Sequence, residues 1–252
     1  MGIFPAFAEF QERYASGKPQ LMSCVLPADL ETPVSSMIKL MQESPFHFLL
    51  ESVEGGKSRA RYSIIGLDPD LIWRVVRGKA EINRHVQKDT NHFEPVIQPP
   101  LEALRALIKE CQLSIPKQLP PMAAGIFGYM GYDMVRQMER LPDKNPDPLG
   151  IPESIYIRPQ IVVIFDSVKD TATVITPVWI TADAAKQSAE NAYKAGQKRI
   201  ERVIEILHGA RPKLTAKQAP KIGPFKANFD EASYSNVVKK AKEYIAAGDI
   251  FQ

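Results

Sequence analysis

Four histidines, two cysteines, three spaced glycines and one acid–hydroxyl pair are the residues of this 252-residue sequence whose types and spacing bear on chemistry. His47, His85, His92 and His208 share neither an HExxH nor a His-x-His spacing, and there is no CxxC, so a zinc site is not predicted. Gly125, Gly128 and Gly131 space as GxxGxxG, which is neither the dinucleotide nor the P-loop fingerprint. They read instead as points where backbones approach closely or where φ turns positive. No Gly-x-Ser-x-Gly elbow occurs. Nothing in residues 1–209 sets a nucleophile beside a base, so the sequence predicts no catalytic residue and no metal ligand there.

The acid–hydroxyl pair closes the stretch Leu49-Leu50-Glu51-Ser52. Strand alternation puts Phe46, Phe48, Leu50 and Ser52 on one face, and three of these are apolar. Ser52 then brings a hydroxyl to the edge of an apolar surface, with the Glu51 carboxylate at the same level on the other face. An apolar wall lipped by a hydroxyl and an acid suits a zwitterion with a bulky side chain. The plainer reading is that Ser52 starts a turn and Glu51 points to water. On the residues alone the plainer reading is the commoner one, because strand ends are usually just strand ends.

The elements that must position these residues follow from periodicity. Thr32-Pro33 reads as an N-cap with proline at N1, and Val34, Met37, Ile38 and Met41 mark a short helix. Two strands, Pro45–Val53 and Ala60–Gly66, flank a turn at Glu54-Gly55-Gly56-Lys57. Leu71–Val76 and Ala80–Asn83 flank Arg77-Gly78-Lys79 as a hairpin. Residues 87–100 read as a polar loop, and Leu101, Leu104, Ile108 and Cys111 give a one-faced helix. The segment 123–135 reads as a strand running through glycines into a short helix near 134–139, followed by a proline-rich loop over 141–153. Gln160–Asp166 and Thr171–Thr176 flank Ser167–Asp170, a strong hairpin signal. A long helix is expected over 182–208, with Ala189, Ala192, Tyr193, Ile200, Val203, Ile204 and Leu207 as its buried stripe. The result is an α+β chain, a mixture of helices with mostly antiparallel strands.

Residues 210–228 carry five basic side chains and no acid, with prolines and no periodicity. They read as a linker between a body, 1–209, and a further segment, 229–252. Asp230 stands at an N-cap position, and Tyr234, Val237, Val238, Ala241, Tyr244 and Ile245 form a helical stripe that Gly248 closes. Asp249-Ile250-Phe251 then opens what reads as a strand, and the expectation is the front part of a longer protein.

Composition narrows the class. A hydrophobic fraction of 44% and a charged fraction of 24% are ordinary for a globular protein. The net charge of +3 is too small and dispersed to argue for nucleic acid. No stretch approaches the ~20 apolar residues of a membrane span, and the N-terminus lacks a signal-peptide pattern. Cys24 and Cys111 lie far apart in apolar settings, which fits a reducing cytoplasm.

Several segments together resemble one family. Leu49–Gly66 resembles the Leu-Leu-Glu-Ser…Arg-Tyr-Ser signature near the start of anthranilate synthase component I, and Gly125–Pro142 is similar to that family's Gly-Tyr-x-Gly-Tyr-Asp-x-x-Arg segment. Gln160–Ile175 is similar to its central hairpin, and Tyr244–Gln252 to the opening of its chorismate-utilising domain. The resemblance implies a fold of large, mostly antiparallel sheets in a two-layer sandwich with outer helices. It implies an enzyme that converts chorismate and ammonia to anthranilate and pyruvate, with Mg²⁺ in the full-length protein. It further implies a glutamine amidotransferase partner and feedback inhibition by tryptophan. By residue matching, Leu50, Glu51 and Ser52 would line one wall of the tryptophan site. The Mg²⁺ ligands and catalytic residues would lie beyond Gln252, and the 252-residue chain alone would be inactive. The nearest alternatives are the related aminodeoxychorismate synthase subunit of the folate branch and a non-catalytic amino-acid-binding or scaffold module.

Overall fold

The run Ile161–Phe165 is buried throughout, and none of its five side chains is more than 7% exposed. Such a run is buried on both faces, so a layer must cover each side of its sheet. The computed structural model describes residues 2–54, 58–120, 122–144, 146–180, 187–212 and 223–252, without the side chains of 52–54 and 58–60. Its elements are helix α1 (Phe7–Ala15), strand β1 (Gln20–Pro27), α2 (Pro33–Leu40), β2 (His47–Glu54), β3 (Ser58–Val76), β4 (Lys79–Asn83), β5 (Glu94–Pro95), α3 (Pro100–Glu110), β6 (Phe127–Met130), β7 (Ser154–Asp166), β8 (Thr171–Val178), α4 (Ala189–His208) and α5 (Glu231–Ala247). A 3₁₀ helix, Tyr132–Gln137, follows β6. They form two compact units, Met1–Pro212 and Lys213–Gln252.

The α+β class with antiparallel pairing is what the first unit has. Its strands form one eight-stranded antiparallel sheet in the order β1-β8-β7-β3-β4-β5, with β2 also on β3 and β6 also on β7. One face carries Met22, Cys24, Ile65, Leu67, Val163 and Val174, covered by Phe10 of α1, Leu40 of α2 and Ile200, Val203 and Leu207 of α4. The opposite face carries Leu21, Ile64, Val162, Ile164 and Ile175 under Leu119 and Ala123. Further along that face Leu71, Trp73 and Val75 pack under Ala103, Leu104 and Leu107 of α3 and Cys111 at its end.

Local chemistry explains the elements. Thr32 and Ser35 exchange the reciprocal bonds of a capping box at the start of α2. The β3–β4 turn places Arg77 at φ 51° and Gly78 at φ 69°, the double positive-φ geometry of a tight hairpin. In the second unit Asp230 caps α5 through the Ser233 amide at 2.7 Å, and Gly248 closes the helix in the left-handed region.

Several expectations shift. The strands expected at 60–66 and 71–76 are one strand, β3, because a register slip between Pro69 and Leu71 bends the chain without ending its pairing with β7. In α3 it is Leu107 that is buried, while Ile108 is 46% exposed, a one-position rotation of the stripe. The start of the helix expected from 182 falls at 181–186, outside the described residues, and Ser188 caps the described helix. Most of the linker expected at 210–228 also lies outside the described residues. Helix α1 and strand β1 carried no sequence signal strong enough to be anticipated.

Candidate functional site

The site is built on β2, whose ladder with β3 pairs Phe48 with Gly66, Leu49 with Ile65, Leu50 with Ile64 and Glu51 with Ser63. Alternation sends Phe48 and Leu50 to one face and Leu49 and Glu51 to the other. The Phe48 ring lies directly over Gly66, where a Cβ would collide with it, and stacks obliquely on Phe127 at 4.9 Å between centroids. That contact joins β2 to the glycine-rich β6. Leu49 packs into the helix-covered core.

Leu50 behaves differently. It shares the face of Phe48 but is 49% exposed, above a fully packed Ile64. Glu51, also exposed, accepts a hydrogen bond from the Ser63 hydroxyl at 3.3 Å. Leu50 and Glu51 therefore do not converge; they project from opposite faces of the strand. Immediately after Glu51 the ladder slips, and Val53 pairs with Arg59 rather than with Arg61. The expected third wall residue, Ser52, lies in that slip, and its side chain is outside the described residues.

The glycines flanking Phe127 position β6. A Cβ on Gly128 would collide with the Ile155 carbonyl and stand 2.8 Å from the Tyr156 Cα, so only glycine lets β6 lie this close on β7. Gly125 has φ 145°. Both roles expected of the spaced glycines are thus present. Beyond them Tyr129 is tied by its hydroxyl to the Pro152 carbonyl at 2.7 Å, and Tyr132 is largely exposed.

A second polar group was not anticipated. Arg158, only 4% exposed, donates from Nε and a terminal nitrogen to Asp70 at 2.8 and 2.9 Å and lies 4.6 Å over the Trp179 ring. Its other terminal nitrogen is 3.7 Å from the Cys111 sulfur. Burial pushes the Cys111 thiol up, against the pull of Arg158, so this cysteine is a poor nucleophile. Arg158 and Asp70 are 88 residues apart, and only the register slip beside Asp70 brings them together, so no local spacing could reveal the pair. Arg61 clasps Asp166 in the same bidentate way at 3.0 and 2.8 Å, and this holds the Asp166 carboxyl below its ordinary range.

No group of three His, Cys, Asp or Glu among the described residues is arranged to hold a metal ion. Two of the histidines make local hydrogen bonds, His47 with the Ser44 carbonyl and His92 with Glu94. No described helix is long and apolar enough to cross a membrane.

Comparison with known proteins fits this frame. Residues 48–252 match the family model described as chorismate binding enzyme. A protein of Cereibacter sphaeroides named anthranilate synthase component 1 is 43% identical over 248 residues, covering 98% of this chain and 49% of the relative. One of Thermus thermophilus with the same name is 34% identical over 227 residues, covering 89% and 44%. The crystal structure of anthranilate synthase component I from Streptococcus pneumoniae has a TM-score of 0.55 at 21% identity, covering 89% of this chain and 46% of that one, and shares the fold. The chain spans about half the length of the curated relatives it matches.

Proposed function

The chain belongs to the chorismate binding enzyme family, and from that premise we propose that it is the N-terminal portion of an anthranilate synthase component I. The complete enzyme would take chorismate and ammonia to anthranilate, pyruvate and water. The observation that carries this reading is the 43% identity sustained over 98% of the chain to a protein of that name. An identity of that level over nearly the whole chain supports the same fold and the same general chemistry.

In this reading the described chain serves regulation rather than bond-making. Leu50 offers an open apolar wall beside the packed Phe48–Phe127 pair. Such a wall suits the indole of tryptophan, with Ser52 and Glu51 as the polar lip for its ammonium and carboxylate. Glu51 occupies the last regular pair before the register slips, where strict alternation ends and a side chain can be re-aimed. Inhibition would be a coupling between this wall and a distant chorismate site, of the usual ~1–3 kcal/mol. The described residues do not form a Mg²⁺ site; its ligands and the catalytic groups would come from the rest of the full-length protein. Ammonia would come from a glutamine amidotransferase partner.

The test is product analysis. The full-length protein, given chorismate and an ammonium salt, should release anthranilate and pyruvate in equal amounts. Accumulation of aminodeoxychorismate would move it to the folate branch, and no consumption of chorismate would leave a binding module.

A further inference from the structure

Helix α4 lays one half-buried charged side chain, Arg199, against the sheet. Arg199 stands beside Gly196 and Ile200, which are buried against β8 and β1, and its Nε donates to the buried Thr176 hydroxyl at 2.8 Å. The two buried cations of the first unit each have a carboxylate: Arg158 has Asp70 and Lys39 has Glu31. Arg199 forms no ion pair among the described residues, and its two terminal nitrogens have no acceptor there. Burial pulls its pKa below the ordinary value, and Asp68 and Asp70 oppose this only through their fields. Half-buried, with a fork that meets no protein acceptor among the described residues, this guanidinium is open to an added oxyanion.

The same guanidinium borders a cavity of about 170 Å³ between α4 and the end of β8. Its wall includes Gln160, Gln187, Trp179 and Asp70. Asp70 is already clasped by Arg158. A cavity of about 150 Å³ accommodates a benzene-sized molecule, so a ligand here has roughly six non-hydrogen atoms. A guanidinium fork matches an oxyanion in two parallel bonds. With one unpaired cation and a carboxylate on the wall, a singly charged anion balances the site, whereas doubly charged phosphate leaves a surplus.

We propose that this cavity under α4 binds a small monocarboxylate, paired to the Arg199 guanidinium and flanked by Gln160 and Gln187. The site stands apart from the Leu50 wall and does not depend on the function proposed above.

Trp179 provides the readout, since the chain has only two tryptophans and Trp73→Phe leaves it alone. The 252-residue chain is titrated with sodium acetate at constant ionic strength, acetate replacing chloride. Trp179 fluorescence in Trp73→Phe and the thermal midpoint of the unaltered chain should follow one saturating curve. Arg199→Gln should raise the half-saturating concentration at least tenfold, and Arg199→Lys, which keeps charge but loses the fork, should raise it less. The proposal is overturned if acetate and chloride act alike, if Arg199→Gln follows the unaltered curve, or if inorganic phosphate saturates at lower concentration than acetate.

Discussion

The Lys39 ammonium donates to the backbone carbonyl of Leu207 at 2.6 Å, fastening α2 to the last turn of α4 across 168 residues of sequence. The same ammonium pairs with Glu31, and only 8% of the Lys39 side chain is exposed. A lysine here satisfies one of the orphan carbonyls at a helix end and meets the negative end of its dipole.

Replacing Lys39 by Met removes both bonds and keeps most of the volume. It should cost ~2–3 kcal/mol of stability, measured by denaturant unfolding, because Glu31 and the Leu207 carbonyl lose a partly buried partner. In the unaltered chain burial raises the Glu31 pKa, and the bonds from Lys39 and Ser35 outweigh that and set it low. The Glu31 resonance should therefore titrate at higher pH in Lys39→Met. An unchanged titration would mean that Lys39 is not its partner in solution.

Acid should loosen the β3–β7 pairing through Asp166. Its carboxyl is held low first by Arg61 and then by the amides of Val168 and Lys169. A carboxyl depressed by folding contributes stability that is complete above the unfolded pKa, about 3.9. That contribution is lost as pH falls through the lower folded value. Asp166→Asn should flatten the stability–pH curve below about pH 5 and leave its shape above that unchanged. A curve with the same acid limb in both proteins would remove Asp166 from the account.

Gly128→Ala should break the β6–β7 approach. The added methyl meets the Ile155 carbonyl and the Tyr156 backbone, neither of which can rotate away. We expect a loss of ~2–4 kcal/mol, the range of strain at a backbone contact. Gly223→Ala, with open space at the same atom, should be near neutral and serves as control.

In the full-length protein Ser52→Phe should relieve inhibition by tryptophan while leaving turnover without tryptophan intact. Leu50→Ala should do so more weakly, since it trims the wall without blocking it. Full tryptophan sensitivity in Ser52→Phe would take this strand out of the inhibitor site.

The fold was legible where a pattern is local. The β7–β8 hairpin shows in two apolar runs around Ser167–Asp170, and α5 shows in its cap, stripe and terminal glycine. Strand β1 did not show, because its first five residues are all buried and lack alternation. Nor did the continuity of β3, since Asp68, Pro69 and Asp70 read as a break while the sheet carries the chain through a positive φ at Asp68 and a register slip. At the site, Leu50 and Glu51 were legible as a strand end. Their placement on opposite faces follows from alternation. The open setting of Leu50 and the pairing of Arg158 with Asp70 depend on residues far away in the chain.

The nineteen residues of β3 have one more consequence. At ~3.3 Å per residue they span roughly 60 Å along the chain, and they supply Ile64, Ile65, Leu67, Leu71 and Trp73 to all three hydrophobic clusters. One strand thus ties together the three hydrophobic clusters of the described residues in the first unit, so those clusters should melt together. Heat or denaturant should dissolve this unit in a single all-or-none event.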